Sequence, residues 1–251
     1  MQGEVEAALT RILGAPHTVV GAGRTDAGAH ARHMVASCRL VRPVDAARLA
    51  RGLDAVLPED VGVRAVSIVP PTFHARRDAA WKWYRYSLLV SEGRRPLLRR
   101  RTWHVRRAPE LDRLRAGAAV LVGHHDFAAF AAAGSPRRTT ARRLYAVGWT
   151  YHDECLHLDV VGNGFLYKMI RGLVGTLLRE ARAGGSPEDV AARMRTILAS
   201  RDRTVAGPSA PAHGLCLMAV GMIGEDPARR LPPFLAEAVE SAPRTSPGGR
   251  P

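Results

Sequence analysis

A chain of 251 residues with 46% hydrophobic content and a formal net charge of +14 is expected to be globular, as one large domain or two small ones, and to suit a polyanionic partner such as nucleic acid. No apolar run is long enough to span a bilayer, and the acidic, amphipathic start MQGEVEAALT reads as neither a signal nor a transit peptide. Cys38, Cys155 and Cys216 are isolated and no C-x-x-C occurs, which argues against a disulfide framework or a structural zinc and for reduced thiols in a cytoplasmic protein.

The first predicted element is an amphipathic helix over Gln2–Leu13, with Val5, Ala8, Leu9 and Ile12 on one face. A glycine-rich loop, Gly21–Ala31, follows, and Met34–Leu40 reads as a strand. Pro43–Val56 is a predicted helix with Pro43 in its first turn and Pro58 beyond its end. Alternation predicts a strand over Val61–Val69, a loop over Thr72–Asp78, and a strong strand over Trp81–Val90. A turn rich in Gly, Pro and Arg (Glu92–Arg101) separates two halves. The second half opens on a short strand, Thr102–Val105, and a helix, Pro109–Val122. Gly134-Ser135-Pro136 reads as a loop, and Thr140–Thr150 and Leu156–Val161 as a strand pair. Phe165–Ala183 is a helix ended by Gly184-Gly185, and Ser186-Pro187 caps another that runs to about Ser200. Leu215–Met222 is the final strand. Beyond Glu225 there are six prolines and few apolar anchors, so 225–251 is expected to be a disordered tail. The fold class is α+β. Residues 1–95 and 96–224 are expected to be two similar domains, each a mostly antiparallel sheet with helices on one face, around a central basic cleft.

Charge is unevenly spread. Arg76–Arg115 holds thirteen Lys or Arg against four acids, so nine of the fourteen net charges fall there. Within it, Phe73-His74-Ala75-Arg76 and Lys82-Trp83-Tyr84-Arg85-Tyr86 interleave aromatic and basic residues, a pattern suited to stacking bases and pairing phosphates. Period 2 puts Lys82, Tyr84 and Tyr86 on one face and Trp81, Trp83 and Arg85 on the other, so some of these aromatics must be core.

The loop G-A-G-R-T-D-A-G-A-H-A centres on Asp26, with Arg24 two residues before it and His30 four after. Its G-x-G start is not a dinucleotide fingerprint. Asp26 replaces the third glycine and would repel a pyrophosphate, and a strand rather than a helix follows. No phosphate-binding G-x-x-x-x-G-K-[ST], serine elbow or neighbouring carboxylate pair is present. His124-His125-Asp126 points in several directions with no third ligand nearby, so it reads as structural. Lys168 and Arg171 share one side of their helix, at its start, where the helix dipole disfavours cations.

Together these segments resemble the tRNA pseudouridine synthase A family. The motifs are GRTDAGAHA at Gly23–Ala31, FHAR at Phe73–Arg76 with KWYRY at Lys82–Tyr86, HDF at His125–Phe127, GFLYKMIRGLVG at Gly164–Gly175 and AHGLCL at Ala212–Leu217, in the family's order over about nine-tenths of the chain. The family usually opens on a strand and a D-G-T…G-W-Q type loop. The resemblance here starts after it, at Gln2-Gly3-Glu4, so that strand is expected to be missing. Ala29 stands where the family favours valine.

The resemblance implies a cofactor-free, metal-free isomerase that converts uridine to pseudouridine in the tRNA anticodon arm, at positions 38 to 40, as a homodimer holding tRNA. By it, Asp26 is the nucleophile, Arg24 holds the flipped base out, Tyr84 packs on the uracil and takes the C5 proton, and Arg171 pairs with Asp26. Thr25, Gly28 and His30 of the loop, with Arg76, Lys82 and Lys168, would contact the RNA. The alternative is a catalytically impaired tRNA-binding protein that keeps the basic surface without a competent pocket.

Overall fold

The computed structural model describes residues 1–132 and 139–241. The predicted loop at Gly134-Ser135-Pro136 and the last ten residues of the expected tail lie outside the described residues. The chain divides into two compact units, and the second takes a short piece from inside the first.

The first unit comprises Met1–Arg24 and Met34–Ala79. It opens on α1 (Gln2–Leu13), which stops because Gly14 adopts a left-handed φ of 76° and its N–H returns to the Thr10 carbonyl. Strand β1 (Val19–Gly21) follows. The chain then leaves this unit for β2 (His30–Ala31) and returns as β3 (Ala36–Cys38), which pairs antiparallel with β1. Helix α2 (Ala46–Val56) begins three residues later than Pro43, because Asp45 caps it by accepting the Arg48 N–H at 2.8 Å. Ala8 and Leu9 of α1, Val19, and Leu49, Leu53 and Leu57 form the core of this unit.

The strand predicted over Val61–Val69 does not form. Only part of its apolar pattern is used: Val61, Val63 and Val66 pack against the helix core, out of strict alternation, while Ile68 and Val69 are exposed. Its backbone bonds, however, are local. Val61 N–H bonds to the Pro58 carbonyl and Val63 N–H to the Asp54 carboxylate, so burial of one side is achieved without a ladder.

The second unit comprises Thr25–His33 and the chain from Ala80 onward. Its frame is a seven-stranded sheet built on β4 (Ala79–Val90), with β5 (Trp103–Val105), β6 (Gly123–Asp126), β7 (Ala141–His152), β8 (Cys155–Gly162) and β9 (Leu215–Met222). The order is β2-β9-β4-β8-β7-β6, with β5 also against β4. Strands β4, β8, β7 and β6 are antiparallel in succession, while β2 runs parallel to β9 and β5 parallel to β4, so the sheet is mostly antiparallel and the fold is α+β.

Helices α3 (Leu111–Ala119), α4 (Met169–Arg182) and α5 (Pro187–Ser200) pack together, with α3 also on β7. α5 carries a capping box: the Ser186 hydroxyl accepts the Asp189 N–H, and the Asp189 carboxylate accepts the Ser186 N–H. The residues expected to start the tail are ordered. Helix α6 (Pro233–Glu240) buries Leu235 and Ala236 against Trp81 and Trp83. Pro232 and Pro233, read as signs of disorder, instead open this helix, where a missing N–H costs nothing.

β4 keeps the two faces its sequence predicts. Trp81 and Trp83 join the α6 cluster, while Tyr84 and Tyr86 face the α4 side. Among the described residues, no helix is long and apolar enough to cross a membrane.

Candidate active site

Asp26 lies in the Thr25–His33 segment, which the second unit holds at its C-terminal end. The Ala29 N–H closes a turn on the Asp26 carbonyl at 3.0 Å, and Gly28 supplies the left-handed φ of 82° the turn needs. Beyond the turn, His30 and Ala31 pair with Cys216 and Leu217, and the Arg32 N–H reaches the Leu217 carbonyl at 2.8 Å. His30 Nε2 lies 2.6 Å from the Arg100 carbonyl, tying the loop to the arginine-rich segment. The loop is thus anchored by sheet bonds, and Asp26 sits on a fixed turn.

Arg171 Nη1 donates to Asp26 Oδ2 at 2.7 Å. Both side chains are largely buried, 15% and 13% exposed, so the pair is screened from solvent more than a surface ion pair. Arg171 is in the first turn of α4, where the dipole disfavours a cation. Two acceptors offset that cost: the Asp26 carboxylate, and the Ala210 carbonyl, which accepts from Arg171 Nε at 2.6 Å.

Lys168 does not share a helical side with Arg171, as the sequence suggests. It precedes the helix with a left-handed φ of 57°, so the α-helical spacing starts only at Met169. Its Nζ lies over the Tyr167 ring at 5.0 Å instead. The helix start also moves from Phe165 to Met169. Phe165 is left free to meet Tyr84 edge-on, with ring centroids 5.1 Å apart at 84°.

Tyr84 is buried in β4. Its hydroxyl pKa is pushed up from 10.0 to about 12, by burial first and then by the negative charge of Asp26. The phenol is therefore neutral at pH 7. Tyr86, fully buried on the same face, donates to the Pro211 carbonyl at 2.8 Å. Burial raises its pKa too.

Thr25, Gly28, His30, Lys82 and Lys168 belong to the same unit as the Asp26–Arg171 pair. Thr25, His30, Lys82 and Lys168 are half-buried. Arg24 and Arg76 belong to the first unit and are exposed. There the Phe73–Arg76 loop is held by His74 N–H on the Asp78 carboxylate at 2.8 Å and Ala75 N–H on Ser37 Oγ at 3.2 Å. His125 and Asp126 have local partners. His125 Nε2 is 2.9 Å from the Val122 carbonyl, and Asp126 accepts the Ala128 N–H and lies 3.2 Å from Arg201.

Two participants escape sequence reasoning: Phe165, which reads as helix, and the Ala210 carbonyl, which is backbone and has no sequence signature. A third residue, Asp159, lies on the other face of β4 and has a signal in its setting, an acid inside Leu156-His157-Leu158-Asp159-Val160-Val161. It is fully buried and takes a bidentate pair from Arg85 at 2.8 and 2.9 Å and the Trp83 indole N–H at 2.6 Å.

In chemical terms, the site presents a carboxylate held by a guanidinium beside a neutral phenol and an aromatic edge. Comparison with known proteins identifies the chain's relatives. A family model described as tRNA pseudouridine synthase matches residues 118–221. The chain is 44% identical over 226 residues to the tRNA pseudouridine synthase A of Syntrophotalea carbinolica, covering 90% of this chain and 88% of that protein. The like-named proteins of a Geobacter species and of Moorella thermoacetica are 40% and 42% identical, covering 88% and 86% of this chain and 88% and 87% of theirs.

Proposed function

The chain belongs to the tRNA pseudouridine synthase A family, and on that footing we propose that it isomerises uridine to pseudouridine in the anticodon stem-loop of tRNA, at positions 38 to 40, with Asp26 as nucleophile. The observation that carries this reading is the partly buried Asp26–Arg171 pair at 2.7 Å, in the same compact unit as the buried Tyr84.

The reaction moves a glycosidic link within one nucleotide. The N1–C1′ bond breaks, the uracil turns, a C5–C1′ bond forms, and the proton lost from C5 is matched by one gained at N1. Nothing is oxidised or reduced, and no external group is consumed. The target base must first leave its stack, which costs a few kcal/mol. Packing on Tyr84 offsets part of that cost, and Arg24 keeps the base from returning.

Asp26 attacks the flipped nucleotide, and Arg171 orients its carboxylate and balances its charge in a site partly shielded from water. Tyr84 packs on the uracil. A neutral phenol accepts a proton only as it gives its own away, so a C5 proton that leaves through Tyr84 must pass on to Asp26 or to solvent. Thr25, His30, Arg76, Lys82 and Lys168 contact the RNA around the target, and the Arg94–Arg107 segment holds the phosphate backbone. We further propose a cytoplasmic homodimer that holds one tRNA across both subunits.

The test is direct. The purified chain is incubated with unmodified tRNA transcript, and pseudouridine is mapped by chemical labelling, beside Asp26→Ala. Product at positions 38 to 40 that needs Asp26 supports the reading. Absence of product from the unaltered protein, with tRNA still bound, overturns it in favour of a binding protein without catalysis.

A further inference from the structure

Between α5 and β9 the chain runs through Gly207-Pro208-Ser209-Ala210-Pro211 to Gly214 with no regular structure until a short 3-10 turn at Ala212–Gly214. This strap is seated on α4 more closely than any side chain allows. A Cβ on Gly175 would lie 1.7 Å from the Pro208 carbonyl oxygen, and one on Gly207 would lie 2.8–2.9 Å from the backbone of Gly175 and Thr176. Backbone thus rests on backbone. Thr176, fully buried in α4, accepts the Gly207 N–H at 2.9 Å and donates to the Gly172 carbonyl at 2.7 Å.

One turn of α4 away, strap and helix exchange bonds. The Ala210 N–H donates to the Arg171 carbonyl at 3.0 Å, and Arg171 Nε donates to the Ala210 carbonyl at 2.6 Å. The guanidinium is therefore gripped on the edge opposite the one that meets Asp26. The strap's far end is fixed by the Tyr86 hydroxyl on the Pro211 carbonyl, and a Cβ on Gly214 would lie 2.7–2.9 Å from the Tyr86 ring. A Cβ on Gly28, in the Asp26 loop, would lie 3.6 Å from Ala212 Cβ. The strap thus touches the arginine's helix, the phenol's strand and the carboxylate's loop.

We infer that this strap orients the Arg171 guanidinium against Asp26, and that Thr176 and Tyr86 are positioning residues for the reaction, acting through the strap that carries the Ala210 carbonyl. This rests on the synthase reading for its kinetic readout, though not for its structural one. An arginine on four rotatable bonds with one fixed partner would sample many orientations. A second acceptor on the other edge removes most of that freedom, and misplacement by about 1 Å can cost on the order of a hundredfold in rate.

Thr176→Val keeps the shape and removes the hydroxyl, and Thr176→Ser restores it. Tyr86→Phe loosens the other end and serves if Thr176→Val does not fold. Two quantities are read in each: kcat and KM on tRNA transcript, and hydrogen exchange of the Arg171 Nε–H by NMR in the protein without RNA. Thr176→Val and Tyr86→Phe should each lower kcat about tenfold with KM unchanged, and Thr176→Ser should recover it. In an Arg171→Ala background neither should lower kcat further. Exchange of the Arg171 Nε–H should quicken in both. Unchanged kcat and exchange in folded variants, with only the melting temperature lowered, would overturn the inference. If the unaltered protein makes no pseudouridine, the synthase reading fails, and exchange alone then decides the strap.

Discussion

Arg171 meets Asp26 across 145 residues of sequence, and both belong to one compact unit, in which the carboxylate's loop is paired to β9 and the guanidinium is held a second time by the Ala210 carbonyl. The ion pair joins two positions that each have an anchor of their own. Arg171→Lys keeps a charge but offers no second edge for Ala210. It is expected to lower the rate of pseudouridine formation by tenfold or more while leaving tRNA affinity within about twofold, checked by single-turnover kinetics and filter binding.

Tyr84 should announce itself in alkaline solution. Its raised pKa means the folded state holds the phenolic proton where the unfolded chain has lost it. The associated stability is complete below pH 10 and is lost as pH rises through about 12. Urea unfolding between pH 9 and pH 12 should show a falling midpoint, and Tyr84→Phe should flatten that fall. An equal slope in the variant would assign the pH dependence to other groups.

Asp159 anchors the opposite face of β4. Asp159→Ala strands Arg85 and the Trp83 indole N–H. Arg85 keeps some contact with water, so the expected cost is about 2–4 kcal/mol, at the lower end for a broken buried pair. Denaturant titration followed by tryptophan fluorescence measures it. Trp83→Phe, which removes one donor and leaves the ion pair, should cost only about 1 kcal/mol beyond its packing change.

The cap of α5 gives a smaller effect. Ser186→Ala removes the acceptor for the Asp189 N–H and half of the capping box. The expected loss is about 1 kcal/mol, or roughly 3 °C in melting temperature. Calorimetry should find it with activity unchanged.

The arginine-rich segment should carry much of the salt dependence. Replacing Arg99, Arg100 and Arg101 together by Gln removes up to three phosphate contacts beside His30. It should reduce the slope of log affinity against log salt by roughly two to three units. An unchanged slope would place the RNA backbone elsewhere.

How far the sequence speaks depends on where a residue's partner lies. Gln2–Leu13 and Pro187–Ser200 are legible to the residue, because amphipathy and their own caps, Gly14 and Ser186-Pro187, lie within a few positions. The apolar pattern of Val61–Val69 foretells the burial of Val61, Val63 and Val66 but not that of Ile68 or Val69, and not a strand, since sequence cannot say whether a ladder partner exists. Asp26 and Tyr84 stand out through their motifs. What holds them does not. Asp159 finds Arg85 at a distance of 74 residues, and Arg171 finds Ala210 at 39 through a backbone oxygen that any residue would offer. Gly172 and Gly175 in an otherwise apolar helix were the available hint of close approach.

The pairing of His30 and Ala31 with Cys216 and Leu217 also sets a schedule. A ribosome makes Asp26 early, Arg171 much later, and the strand that seats the Asp26 loop later still. Until Arg171 and then Leu217 are made, the emerging chain already bears its arginine-rich stretch, yet its carboxylate has no counter-charge and no seat. In a cell crowded with RNA, such a protein can be sticky before it can be reactive. On the proposed reading, the site is complete only after Leu217 has been made.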